Sequence, residues 1–147
     1  MSMSHIDGIN FAADVGQFLI PIAAGVYSIY QGNYEEAASF ALLGMVQKKV
    51  MPVIKRCIPR QRPNGRNSES CFSSHAAGAF LGVGFLVAQQ GSRAYSTSTA
   101  INGAALVGFS RWYTGEHWPT DILSGAAIGF LNGRIAGVLP AVMRRFF

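Results

Sequence analysis

Residues Ser110–Asp121 read SRWYTGEHWPTD and bring a cation, an imidazole and a carboxylate close together in the chain. Arg111 offers a planar set of hydrogen-bond donors for an anion. His117 and Asp121 are four residues apart, and a helix that begins near Trp118 places them one turn apart. We therefore expect the Asp121 carboxylate to hold one ring nitrogen of His117, which leaves the other free to attack or to move a proton.

Two clusters upstream add to this motif. Lys55 is followed after six residues by Arg62 and a proline, which gives a second pair of cations. His75 follows Ser73 and Ser74, so a second imidazole has hydroxyl and amide groups before it. Twelve residues without an acid contain five cations, namely Lys55, Arg56, Arg60, Arg62 and Arg66. Beside two histidines, this loop favours phosphate binding over a lipid-headgroup patch or a nucleic-acid site.

The composition indicates a membrane protein. Half of the residues are apolar and 13% are charged, whereas soluble domains contain about 25% charged residues. The chain has 17 glycines, which suit helices that approach one another closely in lipid. The first ten residues contain neither a cationic stretch ahead of an apolar run nor a small-residue cleavage site, so we expect no cleaved secretory signal.

Apolar runs separated by polar breaks predict five helices in one domain over residues 1–147. The predicted segments are Phe11–Tyr30, Tyr34–Ile54, Ser74–Gln89, Tyr95–Ser110 and Trp118–Met143. Because successive helices alternate in direction, the three clusters fall on the same membrane face. We therefore predict an all-α membrane bundle of about five spans with an active site at one face.

Two further patterns predict contacts between helices. Glycines at every fourth position from Gly125 to Gly137 form a ridge, which we expect to pack against the Gly78–Gly82 face of the third segment. Asp14 lies inside the first apolar run at a depth that matches Lys48 and Lys49. Either Asp14 pairs with one of these lysines, or the lysines extend to the membrane interface.

The three clusters, K-x6-R-P, SSH and S-R-x5-H-x3-D, occur in the order and with the spacing of a known family. They resemble the type 2 phosphatidic acid phosphatases, the membrane branch of a superfamily that also holds bacterial acid phosphatases and vanadium haloperoxidases. The resemblance runs from about Lys55 to Gly129. The second motif departs from the family's Pro-Ser-Gly-His, because Phe72 and Ser74 replace the proline and the glycine.

The resemblance implies a role for each motif residue. His117 would attack phosphorus to form a phosphohistidine, Asp121 would fix its tautomer, and His75 would protonate the leaving oxygen and then deprotonate water. The implied phosphate ligands are Lys55, Arg62, Ser73, Ser74 and Arg111. No metal or other cofactor is expected, because the cations supply the charge that a metal would supply.

The resemblance also implies a substrate, a lipid phosphate or diphosphate that enters sideways from the bilayer. Membrane lipids are then the expected partners, nucleic acid is not, and the oligomeric state stays open. Two alternatives are transfer of phosphate between lipids and a non-catalytic membrane protein, lipid-binding or structural, with a degenerate site. Vanadium haloperoxidases are larger soluble chains.

The resemblance places the active face outside the cytoplasm, which is the periplasmic side of a bacterial inner membrane. A count of cations gives the opposite orientation, because the five of the basic loop outnumber Arg93, Arg144 and Arg145 on the other face. We follow the resemblance, since cations that bind phosphate should not be counted as topology signals.

Four side chains near the motifs have less specific interpretations. Cys57 and Cys71 flank the loop between the first two motifs, and two free thiols are favoured over a bridge. Ser110 either bonds phosphate or caps the local backbone. Glu116 is expected to be an exposed acid beside the site that can tune His117.

Overall fold

The computed structural model describes residues 3–91 and 94–146, with side chains from residue 5 onward. The basic residue Arg93, which entered the count of cations, lies outside these ranges. The chain forms five helices, α1 (Met3–Tyr30), α2 (Tyr34–Cys57), α3 (Ser74–Gln90), α4 (Tyr95–Tyr113) and α5 (Pro119–Phe146). Their number and order confirm the predicted all-α bundle, although α1 begins eight residues before the predicted segment.

Local signals in the sequence account for several helix ends. Gly32, between α1 and α2, has a φ of 77°, a conformation that favours glycine. Ser73 caps α3, since its Oγ accepts a hydrogen bond from the Ala76 amide at 3.3 Å. Pro119 is the first residue of α5, a position where the missing amide hydrogen costs nothing.

Among the residues that the structure describes, three helices are long and apolar enough to cross a membrane, over His5–Tyr30, Tyr34–Cys57 and Pro119–Phe146. The helices α3 and α4 are shorter, at 17 and 19 residues, and α4 begins with a polar first turn. Because α3 contacts all four other helices, its sides are covered by protein. This central position explains why α3 carries small residues and a large share of the buried core.

The glycine ridge of α5 packs directly on the backbone of α3, as predicted. A Cβ at Gly129 would lie 2.0 Å from the carbonyl oxygen of Ala77. One at Gly133 would lie 2.0 Å from that of Leu81, and one at Gly125 would lie 2.4 Å from that of Ser73, the N-cap of α3. Only glycine allows this approach. The ridge therefore fixes the two helices that carry His75 and Asp121.

The predicted partner face of the ridge was wrong. A Cβ at Gly78 would lie 3.1 Å from the Gln17 carbonyl oxygen, and one at Gly82 would lie 2.9 Å from Pro21 of α1. The Gly78–Gly82 face of α3 therefore packs on α1, not on α5. Small residues line α3 on both sides, and their spacing does not indicate which neighbour each side contacts.

Of the two alternatives for Asp14, the ion pair with Lys48 or Lys49 was wrong. Its Oδ1 accepts a hydrogen bond from Nε2 of His75 at 2.7 Å. The ammonium of Lys48 instead lies 5.4 Å from the centre of the Phe18 ring. A shared depth in the membrane was a necessary condition for the ion pair, but the two side chains also had to point towards each other.

Candidate active site

Three parts of the chain meet at one end of the bundle: the loop between α2 and α3, the start of α3, and the loop between α4 and α5. The Asn64 amide donates a hydrogen bond to the Gly115 carbonyl at 3.0 Å, which joins the two loops. The Ser73 amide donates one to the Asp121 carbonyl at 2.8 Å, which joins the starts of α3 and α5. The structure thus brings together the motifs that the alternating helix directions predicted to meet.

His117 is buried and held by the loop between α2 and α3. Its Nδ1–H donates a hydrogen bond to the Ser70 carbonyl oxygen at 2.8 Å. Because a carbonyl only accepts, the hydrogen is on Nδ1 and Nε2 carries the lone pair. Burial lowers the pKa of His117 to about 3, and nearby cations contribute in the same direction. His117 is therefore neutral near pH 7.

The predicted hydrogen bond between Asp121 and His117 is replaced by an indirect link. Oδ2 of Asp121 accepts a hydrogen bond from the Ser70 hydroxyl at 2.6 Å, and Oδ1 accepts one from Nη1 of Arg60 at 2.6 Å. The helix α5 begins at Pro119, so His117 lies before it and the four-residue spacing does not place the pair on one face. Asp121 holds Ser70, and the Ser70 carbonyl holds His117.

His75 lies in the first turn of α3, with Nε2 bonded to Asp14. Lys55 and Arg111 lie within electrostatic range of both His75 and His117. The two imidazoles therefore share the same cations at one end of the bundle. This is the arrangement that the order of the motifs predicted.

Glu116 is the centre of an ion-pair cluster and not the exposed acid that we expected. Its side chain is 6% exposed and pairs with Arg62, with Arg66 at 3.3 Å and with Arg111 at 3.7 Å. The turn at Gly115, whose φ is 69°, folds the loop back so that the Glu116 amide bonds the Arg111 carbonyl. The Glu116 carboxylate thus pairs with arginines of two different motifs, Arg62 and Arg111.

Two donors in this cluster have no partner. Nε of Arg62 and Nε of Arg111 are buried without a hydrogen-bond partner among residues 3–91 and 94–146. A buried charged donor left unpaired is costly. An anion that accepted hydrogen bonds from both guanidinium groups would remove this cost.

The three serines of the motifs have different tasks. Ser73 is buried, its hydroxyl caps α3 and its amide bonds the Asp121 carbonyl. Ser110 donates its hydroxyl to a backbone carbonyl of α4 at 2.7 Å, so it caps the local backbone. Ser74 has no hydrogen-bond partner for its hydroxyl within the described ranges, and it lies at the start of α3 where a helix favours an anion.

A cavity of about 690 Å³ lies beside the site, between α1, α2 and α3. Its walls are mainly apolar and include Phe18, Ile29 and Met45, and Ser74 contributes to its wall at the active-site end. The stretch of α1 that lines it, Gln17–Ile29, is roughly 18 Å long, more than half of a ~30 Å hydrocarbon core. The cavity is thus an apolar groove that reaches Ser74 at the start of α3.

A comparison with protein families finds one match that covers all three motifs. The model of the PAP2 superfamily matches residues 37–142, a range that includes all three motifs. The chain belongs to the PAP2 superfamily. This membership confirms the resemblance that the motifs had indicated, and the matched range extends beyond it on both sides.

Two proteins show what this PAP2 chain is similar to. A lipid A 1-phosphatase from Porphyromonas gingivalis is 38% identical over 77 residues, which is 52% of this chain and 17% of that protein. The chain therefore matches only a small part of that relative's length. The crystal structure of Aquifex aeolicus LpxE aligns with a TM-score of 0.70 and 20% identity, over 92% of this chain and 87% of that one. That likeness shows the shared PAP2 fold.

Sequence reasoning missed three residues of this PAP2 site, Asn10, Arg60 and Ser70. Asn10 accepts a hydrogen bond from Arg111 at 2.9 Å, and its position one turn before Asp14 in an apolar run was a usable signal. Arg60 carried a weaker signal as an additional cation inside the first motif. Ser70 acts partly through its backbone carbonyl, which any residue offers, so no sequence pattern could indicate it.

Proposed function

We propose that this protein is a membrane phosphatase that hydrolyses a lipid phosphate or diphosphate monoester through a phosphohistidine. The observation that carries the proposal is the neutral, buried His117 beside Arg62 and Arg111, whose Nε donors lack partners. An imidazole with a free lone pair is a nucleophile. Cations fixed beside it offset the charge on the oxygens of the transferred phosphoryl group.

In the first step, Nε2 of His117 forms a bond to phosphorus while the bond from phosphorus to the leaving oxygen breaks. The electron pair of that bond stays on the leaving oxygen, which takes a proton from His75. Lys55, Arg62 and Arg111 hold the non-bridging oxygens, together with amides at the start of α3. The Ser70 carbonyl accepts Nδ1–H of His117 throughout and so stabilises the ring as it becomes positive.

In the second step, His75 takes a proton from a water molecule whose oxygen attacks phosphorus. The bond from phosphorus to Nε2 breaks, its electron pair returns to His117, and inorganic phosphate leaves. Asp121 assists both steps from a distance, because it holds Ser70 and Arg60 in place. No metal is needed in this scheme, so an excess of EDTA should leave the rate unchanged.

The apolar groove supports a lipid substrate. An acyl chain in the groove would place its headgroup near Ser74, at the start of α3. The relative named a lipid A 1-phosphatase makes a phosphate on lipid A the first substrate to test. The PAP2 membership makes phosphatidic acid the second.

The test is release of inorganic phosphate by the purified full chain in detergent. The panel contains lipid A, phosphatidic acid, phosphatidylglycerophosphate and an isoprenyl diphosphate. We expect release from at least one lipid and a loss of at least about a thousandfold in His117→Ala, as for other nucleophiles. His5→Ala is the matched control, because His5 is exposed on α1 far from the motifs in sequence. A wild-type protein that releases phosphate from none of these lipids would favour the non-catalytic alternative.

The same enzyme-bound phosphate can pass to a lipid alcohol in place of water. Labelled phosphate in the presence of excess acceptor lipid distinguishes the two outcomes, because a phosphotransferase labels the acceptor and a hydrolase labels free phosphate. Water is the acceptor that we propose.

We also propose that the active face lies on the periplasmic side of a bacterial inner membrane. Cys57 is a free, exposed thiol at the active-site end of α2, whereas Cys71 is free and buried. A thiol reagent that cannot cross membranes should label Cys57 in intact cells with a permeable outer membrane. Labelling only after the inner membrane is opened would show that the active face lies on the cytoplasmic side.

A further inference from the structure

The helix α1 supplies two polar side chains to the active site, although it lies outside the residues 37–142 that match the PAP2 superfamily. Asn10 accepts a hydrogen bond from Arg111 at 2.9 Å, and Asp14 accepts one from His75 at 2.7 Å. The two residues are one helical turn apart and share a face of α1. Because α1 is otherwise mainly apolar, this polar face requires an explanation.

The charges around His75 give Asp14 a specific effect. Lys55 of α2 and Arg111 of α4 both act on the His75 imidazole, and Asp14 is the carboxylate that α1 places against it. Burial and the two cations oppose a positive charge on His75, whereas a carboxylate at hydrogen-bond distance favours it. His75 must carry that charge when the leaving oxygen departs in the proposed reaction.

We propose that Asp14 is the positioning residue that makes His75 an effective general acid. This inference rests on the proposed phosphatase function. Asp14 accepts Nε2–H, so Nδ1–H of His75 faces the substrate. When the bond from phosphorus to the leaving oxygen breaks, Nδ1 gives its proton to that oxygen and the imidazole becomes neutral. Nδ1 later takes a proton from the attacking water, and the Asp14 carboxylate stays charged throughout.

The competing explanation is that Asp14 only docks α1 on the bundle. Close packing already holds α1 to α3, since a Cβ at Gly82 would lie 2.9 Å from Pro21. We therefore expect loss of the Asp14 charge to change the chemistry more than the fold.

The experiment compares two lipids that share a diacylglycerol tail and differ in the leaving group. Phosphatidic acid must release an alcohol, which needs a proton, whereas diacylglycerol pyrophosphate releases a phosphate ester, which leaves readily without one. Asp14→Asn keeps the size and an acceptor oxygen but removes the charge. We expect it to lower kcat about 10- to 100-fold on phosphatidic acid, because general acid catalysis contributes about 10²- to 10⁴-fold and the variant keeps part of it. On the pyrophosphate we expect a loss of less than about threefold.

The pH profile gives a second readout that a structural role would not change. Without the carboxylate, a protonated His75 faces Lys55 and Arg111 alone and loses its proton more readily. The basic limb of the profile for phosphatidic acid should therefore move to lower pH in Asp14→Asn. If the wild-type protein accepts only phosphatidic acid, this shift decides whether Asp14 acts on His75 or only docks α1.

Two matched variants complete the experiment. Asp14→Glu keeps a carboxylate and should recover a large part of the lost rate. Asp7→Asn removes an equal charge from an exposed position of α1 and should leave both rates unchanged. An equal loss on both lipids, or unfolding of Asp14→Asn in a thermal melt, would overturn the inference. A wild-type protein that hydrolyses neither lipid would instead refute the proposed function.

Discussion

The α3–α5 interface is tightly packed, whereas the space between α1 and α2 is open. Along α5, glycines bring two helix backbones into contact, and a Cβ at Gly129 would lie 2.0 Å from the Ala77 carbonyl oxygen. Between α1 and α2 lies the apolar groove of about 690 Å³, where a Cβ at Gly25 would meet only the Phe40 ring at 3.7 Å. One side of the bundle is closed and the other is open.

In the proposed function, this difference separates the chemistry from lipid access. The closed side joins the starts of α3 and α5 through the bond from Ser73 to Asp121, and it holds His117 through Ser70. Phosphoryl transfer depends on such positioning, because small displacements of reacting groups are costly. The open side can accept a flexible acyl chain without moving these groups.

The largest expected effect is on the closed side. Gly129→Ala places a methyl group against the Ala77 carbonyl at 2.0 Å, and both backbones must move apart. We expect a loss of about 3 kcal/mol or more in stability, visible as a lower melting temperature and less folded protein in detergent. Gly8→Ala is the control, since a Cβ there has no neighbour within 4 Å among the described residues. Equal melting temperatures for the two variants would contradict the closed interface.

Burial of His117 on the closed side predicts that acid destabilises the protein. Its pKa is about 3 in the folded state and about 6.5 in an unfolded chain. As the pH falls below about 6.5, the unfolded state binds a proton that the folded state cannot bind until about pH 3, so stability decreases across this window. Between pH 6.5 and pH 5 the decrease is about 2 kcal/mol. Unfolding measured against pH should show this slope in the wild type and a smaller slope in His117→Gln.

On the open side, we expect a bulky side chain to act on the substrate's tail rather than on the fold. Ala41 lines the groove, and Ala41→Trp would displace part of an acyl chain. Each excluded methylene costs about 0.8 kcal/mol, so we expect roughly a tenfold lower kcat/KM for a long-chain lipid phosphate and little change for a short-chain one. Leu42→Trp is the control, because Leu42 is 58% exposed and outside the groove lining. Equal losses on both lipids would show that the groove does not hold the tail.

The closed side was largely predictable from the sequence, because it depends on the spacing of the glycines and on the order of the helices and motifs along the chain. Apolar runs with polar breaks gave five helices, the four-residue glycine period gave the ridge, and alternating directions brought the three motifs together. The ridge's contact face on α3 was not predictable, since small residues such as Gly78 and Ala77 lie on both of its sides.

The network around the histidines was less predictable, because it depends on where side chains point. Asp14 was singled out as a carboxylate at membrane depth, but depth alone fitted Lys48 as well as His75. Asp121 was assigned directly to His117 on a helical spacing, which fails because α5 begins two residues after His117. Glu116 was expected to be exposed, and its burial follows from a loop that folds back at Gly115.

The smallest expected effect is a change in melting temperature opposite in sign to that of Gly129→Ala. Gly25→Ala on the open side adds a methyl group at ordinary contact distance from Phe40, so no backbone has to move. Alanine also favours a helix over glycine by up to about 1 kcal/mol. We therefore expect Gly25→Ala to raise the melting temperature slightly, while the same substitution at Gly129 lowers it strongly. Destabilisation by Gly25→Ala would mean that α1 and α2 are packed as tightly as α3 and α5, and the groove would then have no room for a lipid tail.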